Sequence, residues 1–126
     1  MIEVVADASA LLAYFAHEPG RDELLRVQML RICAVSQAEV VGRLLDWGLD
    51  DVSVAASFRS LSYSVASFDG YRAEITGRLR RDPVARRLSL GDRACLSLAL
   101  QTGLPVLTAD RAWAELEIGV DVRLIR

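Results

Sequence analysis

Between Leu88 and Asp110 the chain reads LSLGDRACLSLALQTGLPVLTAD, and this stretch constrains the fold more than any other. Ser89 is a favoured helix cap. Ala94, Cys95, Leu98 and Ala99 follow at the three- and four-residue steps of one helical face, and Gly103 offers a left-handed stop. After Pro105, Val106 and Leu107 form a short buried strand that leaves through Thr108-Ala109-Asp110. Open α/β sheets gather their ligands at such strand exits. Asp92, in the first turn of the helix, and Asp110, at the strand exit, therefore suggest a metal site.

A chain of 126 residues has room for one domain, 1–126, with a real core. Hydrophobic residues make up 52% and charged residues 25%, which excludes a disordered chain. No basic segment precedes an apolar run at the start, and the apolar runs are too short to span a bilayer. A cytoplasmic location and no membrane partner are expected. Cys33 and Cys95 lack the spacing of a zinc or redox site and read as small buried hydrophobes. A net charge of −2 excludes a surface that is basic all over, so any contact with nucleic acid is local. Every basic residue is Arg. The absence of Lys excludes a P-loop, and it argues against phosphoacceptor signalling domains and haloacid-type phosphatases, which set a lysine against the phosphoryl charge.

Taken in order, Met1 to Ala6 is apolar and β-branched and predicts a strand ending at Asp7, with a helix from Ser9 to Phe15. His17 falls at that helix's end, where it complements the dipole. After the turn Glu18-Pro19-Gly20, the pattern predicts a helix over 21–30 and a strand over 31–35. Ser36 and Glu39 have the S-x-x-E spacing of a capping box opening a helix to Gly48. A helix over 50–61, an edge strand over 62–67, a helix over 68–81, a short helix over 111–117 and a closing strand over 121–126 complete the reading. Trp47 and Trp113 read as packing residues. Arg78, Arg80, Arg81, Arg86 and Arg87 surround Asp82-Pro83, and form either a solvated face or a phosphate contact.

Four acids stand out. Asp7, Glu39, Asp92 and Asp110 each have a local explanation as a cap or turn residue, but Asp7 and Asp110 fall at strand exits and Glu39 and Asp92 in first turns of helices. With right-handed crossovers all strand exits lie on one edge of a parallel sheet, so the four converge there. Like charges in close company raise one another's pKa, and a hard divalent cation with oxygen ligands relieves that repulsion.

The segments VVADASALLAYF with EPG after it, AVSQAEVVGRL, LSLGDRACLSLAL and GLPVLTADRAWAEL, in this order, resemble PIN-domain ribonucleases, and most of all the VapC-type toxins of bacterial toxin–antitoxin pairs. The resemblance implies an α/β fold, a three-layer α/β/α sandwich around a parallel sheet of about five strands. It implies that Asp7, Glu39, Asp92 and Asp110 bind Mg2+ or Mn2+, with Ser9 and Thr108 in support, and that the activity is hydrolysis of RNA phosphodiester bonds by a metal-activated water. It further implies an antitoxin whose tail covers the acidic site, and a homodimer. Arg86 and Arg87 are the candidate RNA-binding residues. Two other readings stay open at this point: a PIN-fold nuclease of RNA processing outside a toxin–antitoxin pair, and a non-catalytic binding module of the same fold.

Overall fold

Side-chain alternation along the strands sorts this molecule into layers. The computed structural model describes residues 2–126. Strands β1 (Glu3–Ala6), β2 (Met29–Cys33), β3 (Tyr63–Ala66), β4 (Val106–Thr108) and β5 (Val122–Leu124) pair in parallel in the order β3-β2-β1-β4-β5. In central β1, Val4, Val5 and Ala6 are all fully enclosed, so both faces of the strand are covered, as a parallel sheet requires.

On one face Val4, Ala6, Leu30, Ile32 and Leu107 join a core with Leu11, Leu24, Val40, Leu44 and Phe58. These last come from helices α1 (Ala8–Phe15), α2 (Asp22–Leu25), α3 (Ala34–Asp46) and α4 (Asp51–Arg59). On the other face Val5, Cys33 and Val106 pack with Ala94, Cys95, Leu98 and Trp113. Helix α5 (Gly70–Arg78) and helix α6 (Leu90–Thr102) pack against each other on this side, and a 3-10 turn, Arg111–Glu115, carries Trp113. The outcome is the three-layer α/β/α sandwich. Among the described residues no helix is long and apolar enough to cross a membrane.

From β1 the chain steps outward to β3, then returns to lay β4 on the other side of β1. That reversal falls at the C-terminal ends of β1 and β4, the position at which open α/β sheets bind their ligands. The Asp7 N–H donates to Leu107 O at 3.1 Å and fastens the two exits together.

Several boundaries differ from the sequence pattern. Met1, assigned to the first strand, lies outside the described residues. The helix predicted over 21–30 is the single turn α2, with Leu24 buried and Leu25 54% exposed. Strand pairing takes over from Met29: Leu30 and Ile32 point inward at period two, and the second strand ends at Cys33 instead of Val35. Helix α3 consequently starts at Ala34, so Ser36 is already inside the first turn, buried, and Cys33 is an N-cap without a side-chain bond. The capping box of Ser36 and Glu39 does not form. Helix α5 begins after Asp69, whose carboxylate caps Arg72 N–H, and ends at Arg78 in a 3-10 turn, Leu79–Arg81.

Trp113 is fully buried as expected, whereas Trp47 is 42% exposed beyond the last turn of α3 and is no core residue. His17 takes a left-handed φ of 56°, and its N–H and that of Glu18 bond to Tyr14 O and Ala13 O, closing α1 through the backbone. Gly103, at φ 69°, ends α6 as predicted. Cys33 and Cys95 are both free and buried.

Candidate active site

Asp7 terminates β1 and caps α1, with its Oδ1 accepting from Ala10 N at 2.8 Å. The cap uses only part of the carboxylate. Ser9 Oγ reaches Oδ1 and Oδ2 at 2.8 and 2.9 Å, and Thr108 Oγ1, from the end of β4, donates to Oδ2 at 2.6 Å. The network closes through the backbone of the β4 exit, where Ala109 N–H donates to Ser9 Oγ at 2.9 Å and Asp110 N–H to Thr108 Oγ1 at 3.0 Å. Ser9 and Thr108 thus pin Asp7 between two strand exits.

Asp7 is 1% exposed. Its carboxyl is raised to about 6, chiefly by burial and slightly by the charge of Asp92, against the opposing hydrogen bonds from Thr108, Ala10 and Ser9. Asp92 reaches the same place from the first turn of α6. It forms a capping box with Ser89, accepting from Ser89 N–H at 3.4 Å and donating its own N–H to Ser89 Oγ at 3.2 Å. The carboxyl of Asp92 is raised by burial and by the charge of Asp110, and the Ser89 bonds oppose the rise.

Glu39 projects from the second turn of α3. Its carboxyl is raised by partial burial and then by the charge of Asp92. The Glu39 carboxylate lies against Gly91 of α6, the residue before Asp92. Asp110 caps the 3-10 turn by accepting from Ala112 N–H at 3.0 Å. Beneath this group lies Cys95, one turn along α6 from Asp92. Its thiol is pushed far up by burial first, then by several neighbouring charges that include Asp7, Asp92 and Glu39. It stays a neutral packing group.

Asp92 is the charge felt by Asp7 and Glu39, and it in turn feels Asp110. None of the ion pairs among the described residues involves any of the four. Arg93, next to Asp92, turns away and donates to Thr76 O on α5 at 3.2 Å. The donors on offer are carboxylate and hydroxyl oxygens, a hard set that fits a divalent cation such as Mg2+ or Mn2+. Among the described residues no three His, Cys, Asp or Glu side chains are drawn together tightly enough to enclose an ion by themselves.

Two features escaped sequence reasoning. One is the seat of Glu39 on Gly91, which a glycine in the first turn of an otherwise well-capped helix hints at. The other is a cleft of about 370 Å³ between α1 and α3, lined by Ala8, Leu12, Ala38, Glu39, Gly42 and Arg43. Alanine and glycine at helical spacing leave room there, but which helix faces them depends on the fold. The basic residues Arg80, Arg81, Arg86 and Arg87 are exposed and outside any ion pair among the described residues, while Arg78 pairs with Glu74 at 3.3 Å.

Solved structures of similar shape include toxin–antitoxin proteins. A toxin–antitoxin complex from Klebsiella pneumoniae superposes with a TM-score of 0.76 at 17% identity, covering 98% of this chain and 98% of that one. VapBC2 from Rickettsia felis, bound to a DNA fragment from its promoter, gives 0.73 at 12% identity with the same coverage of both chains. VapC20 of Mycobacterium tuberculosis, a sarcin–ricin loop cleaving toxin, gives 0.66 at 14% identity, covering 96% of this chain and 99% of that one. No curated protein matches the chain in sequence. Identities this low speak for the fold alone, but the sequence profile of the PIN domain matches residues 4–119, a span that holds all four acids. The parallel sheet order is consistent with this match: the chain belongs to the PIN domain family.

Proposed function

We propose that this protein is a metal-dependent endoribonuclease toxin that hydrolyses phosphodiester bonds in structured RNA, such as tRNA or rRNA, and so inhibits translation until a cognate antitoxin neutralises it. This reading is supported by Asp92, whose charge acts on Asp7 and Glu39 and which itself feels Asp110, while no ion pair among the described residues engages any of the four acids. Carboxylates that raise one another need a counter-charge to be fully ionised at neutral pH. Mg2+ keeps several waters and takes one or two protein carboxylates directly, so it does not require the three close ligands that no group among the described residues supplies.

Asp7 and Asp92 are the direct ligands in this reading, and Glu39 and Asp110 act through water or as a base. When bound, the ion supplies an activated water and offsets charge on the scissile phosphate. Ser9 and Thr108 fix the orientation of the Asp7 carboxylate, which must shed its proton before it can ligate. Arg86 and Arg87, just before α6 in the chain, offer exposed positive charge to an RNA backbone. The antitoxin follows from the Klebsiella and Rickettsia relatives, which are toxin–antitoxin assemblies, and the cleft between α1 and α3 gives its tail a place beside Glu39. The toxin acts in the cytoplasm as a homodimer.

The test is cleavage of total cellular RNA by the purified protein, freed of any co-purified partner, with Mg2+ or Mn2+, with chelator, and with Asp7→Asn alongside. Discrete fragments that require metal and vanish in the variant are expected. A well-folded protein that cleaves nothing under any of these conditions would sink the nuclease reading.

A further inference from the structure

We propose that Gly91 is a positioning residue: the missing side chain at this point of α6 is what lets the Glu39 carboxylate lie against the helix beside Asp92. The proposal rests on the metal-site reading above. Backbone geometry gives no reason for a glycine here, since residue 91 is in the first turn of a regular helix, outside the left-handed region that favours glycine. The cap gives none either. Ser89 and Asp92 form the box, and the residue between Leu90 and Asp92 takes no part in it. Glycine is moreover among the poorest helix formers.

Close approach does give a reason. A Cβ built on Gly91 collides with Glu39 Oε1 and comes within 2.6 Å of Cδ and 3.0 Å of Oε2, so all three carboxylate atoms crowd the place a methyl group would fill. Gly91 is buried while Glu39 is exposed overall, and the tip of this long side chain from α3 covers the α6 backbone at Gly91. Among the described residues Glu39 has no hydrogen bond or ion pair to hold it there. Shape is the constraint. The carboxylate rests where α6 has no side chain, one residue from Asp92, and any larger residue at 91 turns it out.

The obstructed group is the far end of a flexible side chain, so Gly91→Ala folds. Metal-free, it should melt at or above the parent, because alanine is the better helix former. The Mn2+ concentration that gives half-maximal thermal stabilisation should rise at least about tenfold, and RNA cleavage should fall by a similar factor. Adding Glu39→Asp, one methylene shorter, should restore part of both. A crystal structure of metal-free Gly91→Ala should show the Glu39 carboxylate turned away from α6. Should Gly91→Ala melt lower than the parent, the double variant Gly91→Ala/Glu39→Ala must regain the loss, since the collision is with Glu39. Unchanged Mn2+ response, a carboxylate still beside Asp92, or no such recovery would each overturn the proposal. Failure of the nuclease reading is distinguishable: there the parent itself shows no Mn2+ stabilisation that Asp7→Asn removes, while the crystal structure still judges the seat of Glu39.

Discussion

Asp7→Asn should stabilise the metal-free protein above about pH 6 and not below about pH 4, a reversal that follows from burial of this one carboxylate. In the unfolded chain Asp7 titrates as an ordinary aspartate; in the fold it titrates at about 6. The folded carboxyl is raised, so the sign runs opposite to that of a salt-bridged acid. Below the unfolded value both states are protonated and the group is neutral in its effect. Between the two values the fold holds a proton that the unfolded chain has lost, so metal-free stability falls as pH rises. Above about 6 both are ionised and the full penalty applies, about 3 kcal/mol. Asparagine removes that penalty. It keeps an oxygen for Ala10 N–H but sets an amide NH2 where Oδ2 accepted from Thr108 and Ser9, whose hydroxyls must turn, at a cost of about 1 kcal/mol. The net gain of about 2 kcal/mol at about pH 8 corresponds to about 6 °C in Tm for a domain of this size. Urea unfolding of both proteins in chelator at about pH 4.5, 6 and 8 measures the difference directly. A difference that does not change with pH, or a variant less stable than the parent at the alkaline end, would refute the buried, desolvated carboxylate. Saturating Mn2+ should reverse the order by stabilising the parent alone.

Asp92→Asn should likewise leave the metal-free Tm unchanged or higher, while abolishing the stabilisation that Mn2+ gives the parent; equal Mn2+ stabilisation of the two proteins would count against a shared site. Thr108→Val keeps the shape of a fully buried side chain but strips the donor from Asp7 and the acceptor from Asp110 N–H, and should cost about 1–3 kcal/mol. Most of that coupling should vanish in the Asp7→Asn background, which a double-mutant cycle by thermal unfolding would show. Arg86→Ala with Arg87→Ala should weaken RNA binding and flatten its dependence on salt by about one to two in log–log slope, with Tm unchanged; an unaltered slope would return the pair to a solvated face.

How far the sequence could be read is clearest in two tetrads of the same form. Ser89 to Asp92 is a cap in the fold and Ser36 to Glu39 is not, although both begin with serine and end with an acid. The difference lies in the chain before them. Ser89 follows a 3-10 turn and is free to take an extended backbone, whereas β2 runs straight into α3 and its register against β3, with Cys33 opposite Ala66, carries Ser36 into the helix. That register is a long-range property that no tetrad encodes. Strand pairing also shortened the helix predicted over 21–30, because Met29 and Leu30 pair with β1 in β2, where Leu30 is buried. The apolar runs of β1 and β4 and the helix stop at Gly103 needed no such information and were legible directly.

The failed box has a functional side. A Glu39 carboxylate bonded back to a cap could not reach Gly91, so the register of β2 is also what frees the acid from α3. For the others, capping and site roles coincide. Asp7 caps α1, Asp92 stands at the third position of α6, and Asp110 caps the turn after β4. Each sits at the positive end of its own element, where a carboxylate gains about 0.3–1 kcal/mol before any cation arrives. The backbone N–H groups of Ala10, Ser89 and Ala112 are aimed at these same carboxylates. The local explanation of Asp7, Asp92 and Asp110 is therefore compatible with a shared one: caps and first turns steady carboxylates that have no ion-pair partner among the described residues. Glu39, with no cap to support it, is the member held by shape alone, and its seat is the one a single methyl group on α6 would remove.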